Sequence, residues 1–254
     1  MTKHPDLATA FHRLHAGPDV LLLANAWDAG SARLIESLGA RAIATTSAGV
    51  AWAHGYPDGD ALPTSLVLAT TEAIARVIRV PLTVDIEGGY SDDPAAVGRL
   101  IGALIEAGAV GVNLEDGGGS PDLLCAKIAA ARKVADGLGV ALYINARTDV
   151  FLRGLVPEAD RVDETCARAA RYRAAGASGI FVPKALEPQQ IATIARAVEL
   201  PMNVLAWPGL PAAAELASLG VRRLTDAPRL RLLGTERIGD DWLLHAVPEG
   251  PRAR

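Results

Sequence analysis

The chain has 254 residues, half of them apolar and 21% charged, and its 29 acids against 25 bases leave a net charge of −4. That composition supports a large core, excludes a disordered chain, and lacks the basic excess of a nucleic-acid binder. The two cysteines, Cys125 and Cys166, form no disulfide framework and read as small buried residues of helices.

In chain order, the opening "MTKHPDLATAFHRLHAGPDV" lacks the apolar core of a signal peptide, and Leu7, Phe11 and Leu14 fall on one face of a short amphipathic helix. No apolar run approaches the ~20 residues of a membrane span. The expectation is a cytoplasmic protein that contacts neither membrane nor nucleic acid.

Short apolar runs then alternate with helical patterns. The strand candidates are 20–27, 41–47, 81–87, 110–116, 141–148, 179–184, 201–207 and 221–227. Helix-like stretches such as "SARLIESLG", "DPAAVGRLIGALIEAGA" and "RVDETCARAARYRAAGA" lie between them, many ending in Gly or Gly-Ala as left-handed helix caps require. Ser31, Ser65, Asp93 and Glu187 stand at helix starts as caps or first-turn groups.

Strands separated by helices pair in parallel through crossovers. Eight such units in this length predict an α/β fold, a single-domain (β/α)8 TIM barrel spanning 1–254, with a short N-terminal helix and a loose C-terminal tail. An open doubly wound sheet is the alternative, but no G-x-G-x-x-G follows the first strand. The segment "LRLLGTERIGDDWLLHAV" reads as one or two further helices.

Active sites of such barrels lie at the C-terminal ends of the strands. Here those ends are dense in polar groups, among them Asn25, Thr46, Ser47, Asp85, Glu87, Asn113, Glu115, Asp116, Asn145, Arg147, Asp149, Lys184, Asn203 and Asp226. Strand side chains alternate, so Asp85 with Glu87, Asn113 with Glu115, and Asn145 with Arg147 each share a face. Two charges ~5 Å apart at an effective dielectric of ~20 repel by ~3 kcal/mol. A shared proton or a divalent cation would relieve that, as would one acid capping a helix while the other pairs with Arg147. Carboxylates without histidine suit a hard ion such as Mg2+. Of the five histidines only His54 lies near a strand-end loop, which argues against zinc.

Asp28 reads as a helix N-cap or as a site acid, and Trp27 and Trp207 as pocket lining or as packing on the barrel top. Asp149 and Lys184 are expected to pair across strands, and Arg222 and Arg223 to split between the helix layer and the interior.

The runs "NAWDAGSARLIESLGA", "TTSAGVAWAHGYPDG", "VDIEGGYSD", "GVNLED", "INARTDVFL", "GIFVPK" and "NVLAWPGLP" resemble, in order, the phosphoenolpyruvate mutase/isocitrate lyase superfamily. The resemblance implies a Mg2+-dependent barrel, with Mn2+ as the alternative ion, that makes or breaks a bond next to an α-oxo or 2-hydroxy acid through a pyruvate-like enolate. By motif, Asp85, Glu87 and Glu115 match the metal acids, Glu87 standing where a second Asp is frequent. Asp58 matches an acid at the metal's edge. Thr46, Ser47 and Ala48 match the stretch that holds the substrate carboxylate and enolate oxygen. Arg147 matches the substrate clamp, and Asn113 and Asn203 join the substrate-binding groups. Asp58, Glu115 and Arg147 form the expected catalytic set. The resemblance also implies a homodimer or homotetramer, in some members with an exchanged C-terminal helix.

One departure matters. The superfamily's lyases carry Lys-Arg-Cys-Gly-His after the fourth-strand Glu-Asp, whereas this chain reads "LEDGGGSPDLLCAKIAAA". The Lys and Asn of the mutase and phosphonopyruvate hydrolase pattern are missing too. The glycines at 117–119 read as a tight turn, with no Gly-Lys-Ser/Thr of a phosphate loop. A loop this bare favours decarboxylation or C–C cleavage of a small oxo acid. Phosphorus–carbon chemistry on phosphonopyruvate or phosphoenolpyruvate, and a non-catalytic oxo-acid-binding barrel, are the rival readings.

Overall fold

The computed structural model describes residues 4–226, 230–238 and 241–248. Helix α1 (His4–Ala16) precedes strand β1 (Leu21–Ala26) and helix α2 (Ala29–Ser37). Then come β2 (Ile43–Thr45), α3 (Ser47–Ala53), α4 (Thr64–Val77), β3 (Leu82–Asp85) and α5 (Pro94–Ala107). The middle of the chain forms β4 (Gly111–Glu115), α6 (Pro121–Gly137), β5 (Tyr143–Arg147) and α7 (Arg161–Ala175). β6 (Gly179–Phe181), α8 (Pro188–Ala197), β7 (Met202–Leu205), α9 (Ala213–Ser218) and β8 (Val221–Asp226) complete the series.

These eight strands close in sequence order into a parallel barrel, β8 pairing back onto β1 from Leu21↔Arg223 to Ala24↔Asp226. Every expected strand is present, trimmed by one to four residues at its ends. Trimming matters most at β2 and β3, where Thr46, Ser47, Ile86 and Glu87 leave the strands and enter loops or helix.

Helix ends follow the local chemistry. Asp28 caps α2, its carboxylate accepting from the Ser31 amide at 2.6 Å while the Ser31 hydroxyl accepts from the Asp28 amide at 3.2 Å. Asp93 caps α5 by accepting from the Ala95 and Ala96 amides. Glu187 sits at the N-cap of α8 without a side-chain bond, and Ser65 lies inside α4 after Pro63. Gly108 and Gly176 close α5 and α7 in the left-handed region, as the Gly-Ala punctuation predicted.

Helix α1 packs against β5 and β8 and closes the N-terminal end of the barrel. Phe11 is fully buried there, against the T-shaped ring of Tyr143 at 5.3 Å. A side chain at Gly111 would place its Cβ 2.8 Å from Phe11, so β4 begins with glycine where α1 docks.

One expectation is corrected. Beyond β8, strands β9 (Leu230–Ile238) and β10 (Asp241–Pro248) form an antiparallel hairpin in place of the expected helices. The Gly239-Asp240 pair between two apolar runs is a hairpin signal that outweighs the leucine spacing. Of the loose tail expected over 247–254, Val247 and Pro248 belong to β10 and the rest lies outside the described residues. Trp27 and Trp207, read as pocket lining or as packing on the barrel top, are only partly covered, at 36% and 42% exposed.

Candidate active site

Asp85 is the last residue of β3, where its amide donates to Thr45 Oγ1 at 2.9 Å. Two residues later the chain leaves extended geometry, with Glu87 at φ +50°. The shared face expected of Asp85 and Glu87 therefore does not arise from strand alternation; the two are neighbours through a turn. Asp85 Oδ1 accepts from the Glu87 amide at 3.3 Å. Glu87 Oε2 accepts from the Gly59 amide at 2.8 Å and from the Asp60 amide, and Oε1 accepts from Tyr90 Oη at 3.2 Å. Glu87 thus ties the Asp58-bearing loop to the end of β3. Asp60, Glu87 and Tyr90 all have positive φ, strain concentrated in one corner of the mouth. Gly88 leaves room beside it: a Cβ there would lie 2.9 Å from Asp60 Oδ2 and push that carboxylate aside.

Across β4 and β5 alternation holds. Asn113 pairs in register with Asn145 and Glu115 with Arg147. Asn145 Nδ2 donates to Asn113 Oδ1 at 2.8 Å, and Arg147 Nη1 lies 2.6 Å from Glu115 Oε2. Arg147 also grips Asp149, through Nε at 2.7 Å and Nη2 at 3.1 Å. Asp149 accepts in addition from Arg153 Nε at 2.9 Å. Asp149 is therefore committed to arginines on its own segment, and the expected pair with Lys184 does not form. Lys184 lies over the Trp207 ring, 5.9 Å from its centroid.

Behind this pair Asp116 is buried with three donors: the Asp149 amide at 2.9 Å, Arg168 Nη1 at 2.9 Å and Tyr172 Oη at 2.6 Å. Arg153, Arg168 and Tyr172 escaped the sequence reading. Arg168 and Tyr172 share one face of a helix, but nothing local announces that the face meets Asp116.

Thr46 occupies the N-cap of α3 without a side-chain capping bond, and Ser47 and Ala48 begin that helix. The Ser47 amide donates to the Asp85 carboxylate. Asn113 and Asn203 lie deeper, buried in the barrel interior. Asn203 Oδ1 accepts from Thr225 Oγ1 at 3.1 Å, and its Nδ2 has no partner among the described residues. His54 is turned to Thr70, 2.9 Å away. Arg222 bonds carbonyls of Ala217 and Val221 while Arg223 is buried inward, the expected split.

Charge at the mouth is poorly compensated. Burial raises Asp85, with the Asp58 charge adding to it and Arg147 opposing. Burial also raises Glu87, again with Asp58 and Asp60 adding. Burial pushes Glu115 up to about 8 although Arg147 touches it, because Asp85, Asp149 and Glu87 add negative charge and Arg147 is shared with Asp149. Asp58, Asp85, Glu87, Glu115 and Arg147 are thus one electrostatic unit. A cavity of about 340 Å3 opens beside it, lined by Asp60, Glu87, Glu115, Gly117–Gly119, Lys127 and Arg153 among others. The turn Asp116–Gly119 on its rim is closed by the Gly119 amide donating to the Asp116 carbonyl at 2.7 Å.

The family model for phosphoenolpyruvate phosphomutase matches residues 11–236. The chain belongs to that family. A Burkholderia cenocepacia J2315 crystal structure, provisionally named a phosphonomutase, is 42% identical with a TM-score of 0.83, covering 87% of this chain and 93% of that one. Mycobacterium tuberculosis H37Rv protein Rv1998c is 38% identical over 220 residues, 85% of this chain and 81% of its own. Oxaloacetate decarboxylase of Paraburkholderia xenovorans LB400 is 30% identical over 217 residues, 81% of this chain and 70% of that enzyme. The phosphomutase family therefore includes both decarboxylating and phosphono-named relatives of this barrel.

Members of the phosphomutase superfamily are typically divalent-metal dependent. Among the described residues, no three His, Cys, Asp or Glu side chains stand together as a ready coordination group. The donor chemistry nevertheless fits a hard ion. Asp85 accepts only amide hydrogens and joins no ion pair among the described residues, and the acids around it raise one another.

Proposed function

We propose that this protein is a Mg2+-dependent enzyme that breaks a C–C bond in a small α-oxo or 2-hydroxy carboxylic acid through a pyruvate-like enolate, as a decarboxylase or lyase. The observation that supports it most is the surplus of buried negative charge at the mouth. Glu115 is pushed up to about 8 with its one arginine already shared. Uncompensated acids at the C-terminal end of a barrel are costly unless a ligand relieves them.

Asp85 would hold the ion directly, with Glu115, Glu87 and Asp58 around it. When bound, a divalent cation supplies positive charge where a carbonyl oxygen turns negative. The chain's own groups do the rest. Arg147 has five N–H donors; Asp149 takes two of them, and Nη1 forms an ion pair with Glu115. The donors left over suit a planar substrate carboxylate. The Ser47 amide is taken by Asp85; the Ala48 amide, also in the first turn of α3, has no intrahelical acceptor and would be available to a developing oxyanion. In a 2-oxo-1,4-dicarboxylate such as oxaloacetate the C3–C4 bond breaks, C4 leaves as CO2, the bond's electron pair forms the C2–C3 enolate, and water reaching C3 through the open cavity returns a proton. No base is needed to deprotonate a hydroxyl, which agrees with a β4–α6 loop of Asp116–Ser120 that carries no Lys, Arg, Cys or His. The reading extends to a cytoplasmic homodimer or homotetramer.

A second reading, P–C bond chemistry on phosphonopyruvate or phosphoenolpyruvate, draws on the Burkholderia relative's name. The test is a substrate panel with Mg2+: oxaloacetate, phosphonopyruvate and 2-methylisocitrate, with oxalate as a binding probe. We expect pyruvate from oxaloacetate above the metal-only background, lost with chelator and in Asp85→Ala. Turnover of phosphonopyruvate alone would favour the second reading. Oxalate binding with no turnover across the panel would make the protein a binding barrel.

A further inference from the structure

The geometry points to a positioning relay: Tyr172 and Arg168 on α7 hold Asp116, Asp116 holds the backbone at Asp149, and Asp149 sets the edge that Arg147 presents to substrate. The relay rests on the proposed role of Arg147 as the carboxylate clamp.

Each link is a charge-assisted hydrogen bond between groups removed from water. Asp149 is fully buried and spans the Nε and Nη2 atoms of Arg147, at 2.7 and 3.1 Å. That two-point grip fixes the guanidinium plane, and it leaves Nη1 to the ion pair with Glu115 and, in the proposed clamp, to substrate. Asp149 could not hold this pose from a loose loop. It is the residue before a single π-helical turn (Val150–Gly154), a fragile element on its own. Its amide is pinned by Asp116 Oδ1 at 2.9 Å. Asp116 in turn has its other oxygen, Oδ2, bonded by Arg168 Nη1 at 2.9 Å and Tyr172 Oη at 2.6 Å. Arg168 is braced from its own helix by Glu164, 2.6 Å from Nε.

The relay thus connects the outer helix layer to the mouth without touching substrate. Its members are positioning residues. A merely structural network would not need to end on the one arginine shared by two acids of the site. This one does, and every intermediate carboxylate oxygen in it has a named donor.

The test separates the relay from the reading beneath it. Oxalate affinity is measured by calorimetry with Mg2+ for wild type, Tyr172→Phe, Asp149→Asn, Arg147→Ala, and the Tyr172→Phe/Arg147→Ala double variant. Wild-type protein that binds no oxalate would overturn the clamp reading. Given wild-type binding, the relay predicts about a threefold to tenfold loss in Tyr172→Phe and more in Asp149→Asn. It also predicts that Tyr172→Phe costs nothing further in the Arg147→Ala background, since it acts through that arginine. Additive losses would overturn the relay, as would unchanged affinity in Tyr172→Phe. Should Asp149→Asn not fold, the Nε–H resonance of Arg147 in metal-free Tyr172→Phe provides a second readout. Faster hydrogen exchange there than in wild type supports the relay, and an unchanged rate overturns it.

Discussion

At the mouth of the barrel several acids share one arginine; at its floor a single arginine has almost nothing to share with. Arg223 is 1% exposed, donates one long bond of 3.4 Å to Asn113 Oδ1, and leaves Nε and Nη1 without partners among the described residues. Burial lowers it to about 10, and burial lowers His15, stacked on Tyr143 at 4.0 Å, to about 3. Burial is thus the largest cause driving bases down at one end and acids up at the other. The floor, sealed by α1, meets this by keeping His15 neutral among aromatic rings. The mouth, open to a cavity, keeps its acids where a ligand can relieve them. The floor is built for stability and the mouth carries a surplus that binding can discharge.

The largest expected effect tests the floor as pure structure. Phe11→Ala should cost about 3–5 kcal/mol in urea unfolding, because the ring is fully buried against Tyr143 and Gly111. Oxalate affinity of the folded protein should stay unchanged. Weakened binding in a protein that is still folded would mean that the two ends are coupled.

The pH dependence should separate the ends next. Glu115 has a folded pKa of about 8, above its ordinary 4.5, so it stabilises fully below 4.5 and loses that contribution as pH rises through 8. His15 runs the other way. Its folded pKa of about 3 lies below 6.5, so its contribution is full above 6.5 and is lost as pH falls towards 3. In metal-free protein, Glu115→Gln should flatten the alkaline side of a Tm–pH curve and His15→Gln the acid side. Flattening on the opposite side in either variant would refute the assignment. Mg2+ should lift only the alkaline limb.

Arg223→Met comes third. A buried guanidinium with two unpaired donor atoms is a poor use of an interior site, and an apolar replacement of similar length should stabilise by about 1–2 kcal/mol. A clear loss of stability on chemical denaturation would show that interior water or another partner satisfies those donors.

How much of this the sequence displayed depends on the range over which the cause acts. The barrel was legible because each strand and crossover helix has its own period. The Glu115–Arg147 contact was legible because both lie on strands in register, where alternation decides direction. Glu87 was misread because the backbone turns to φ +50° two residues past the end of β3, and no periodicity marks a turn. The Asp116 links were hidden because Arg168 and Tyr172 are 52 and 56 positions away. The C-terminal hairpin was misread because leucine spacing in 230–248 satisfies both periods, leaving the Gly-Asp pair as the one discriminating signal.

The smallest effect concerns an acid that sits at a strand end yet lies outside the mouth's electrostatics. Asp28 follows β1 as Asp85 ends β3, and both are acids in the same ring of loops. The difference lies in their partners. Asp28 spends its carboxylate on the Ser31 amide at 2.6 Å, and Ser31 returns the bond to its backbone. Asp85 instead is raised by burial, with Asp58 adding to it and Arg147 opposing. Asp28→Ala should therefore cost about 1 kcal/mol of stability, the ordinary value of an N-cap. It should leave Mg2+-dependent oxalate binding as it is, while Asp28→Asn or Asp28→Ser should restore most of the loss. A tenfold drop in oxalate affinity in Asp28→Ala, with the helix intact by circular dichroism, would move Asp28 into the site and erase the contrast between a strand-end acid that caps and one that waits for an ion.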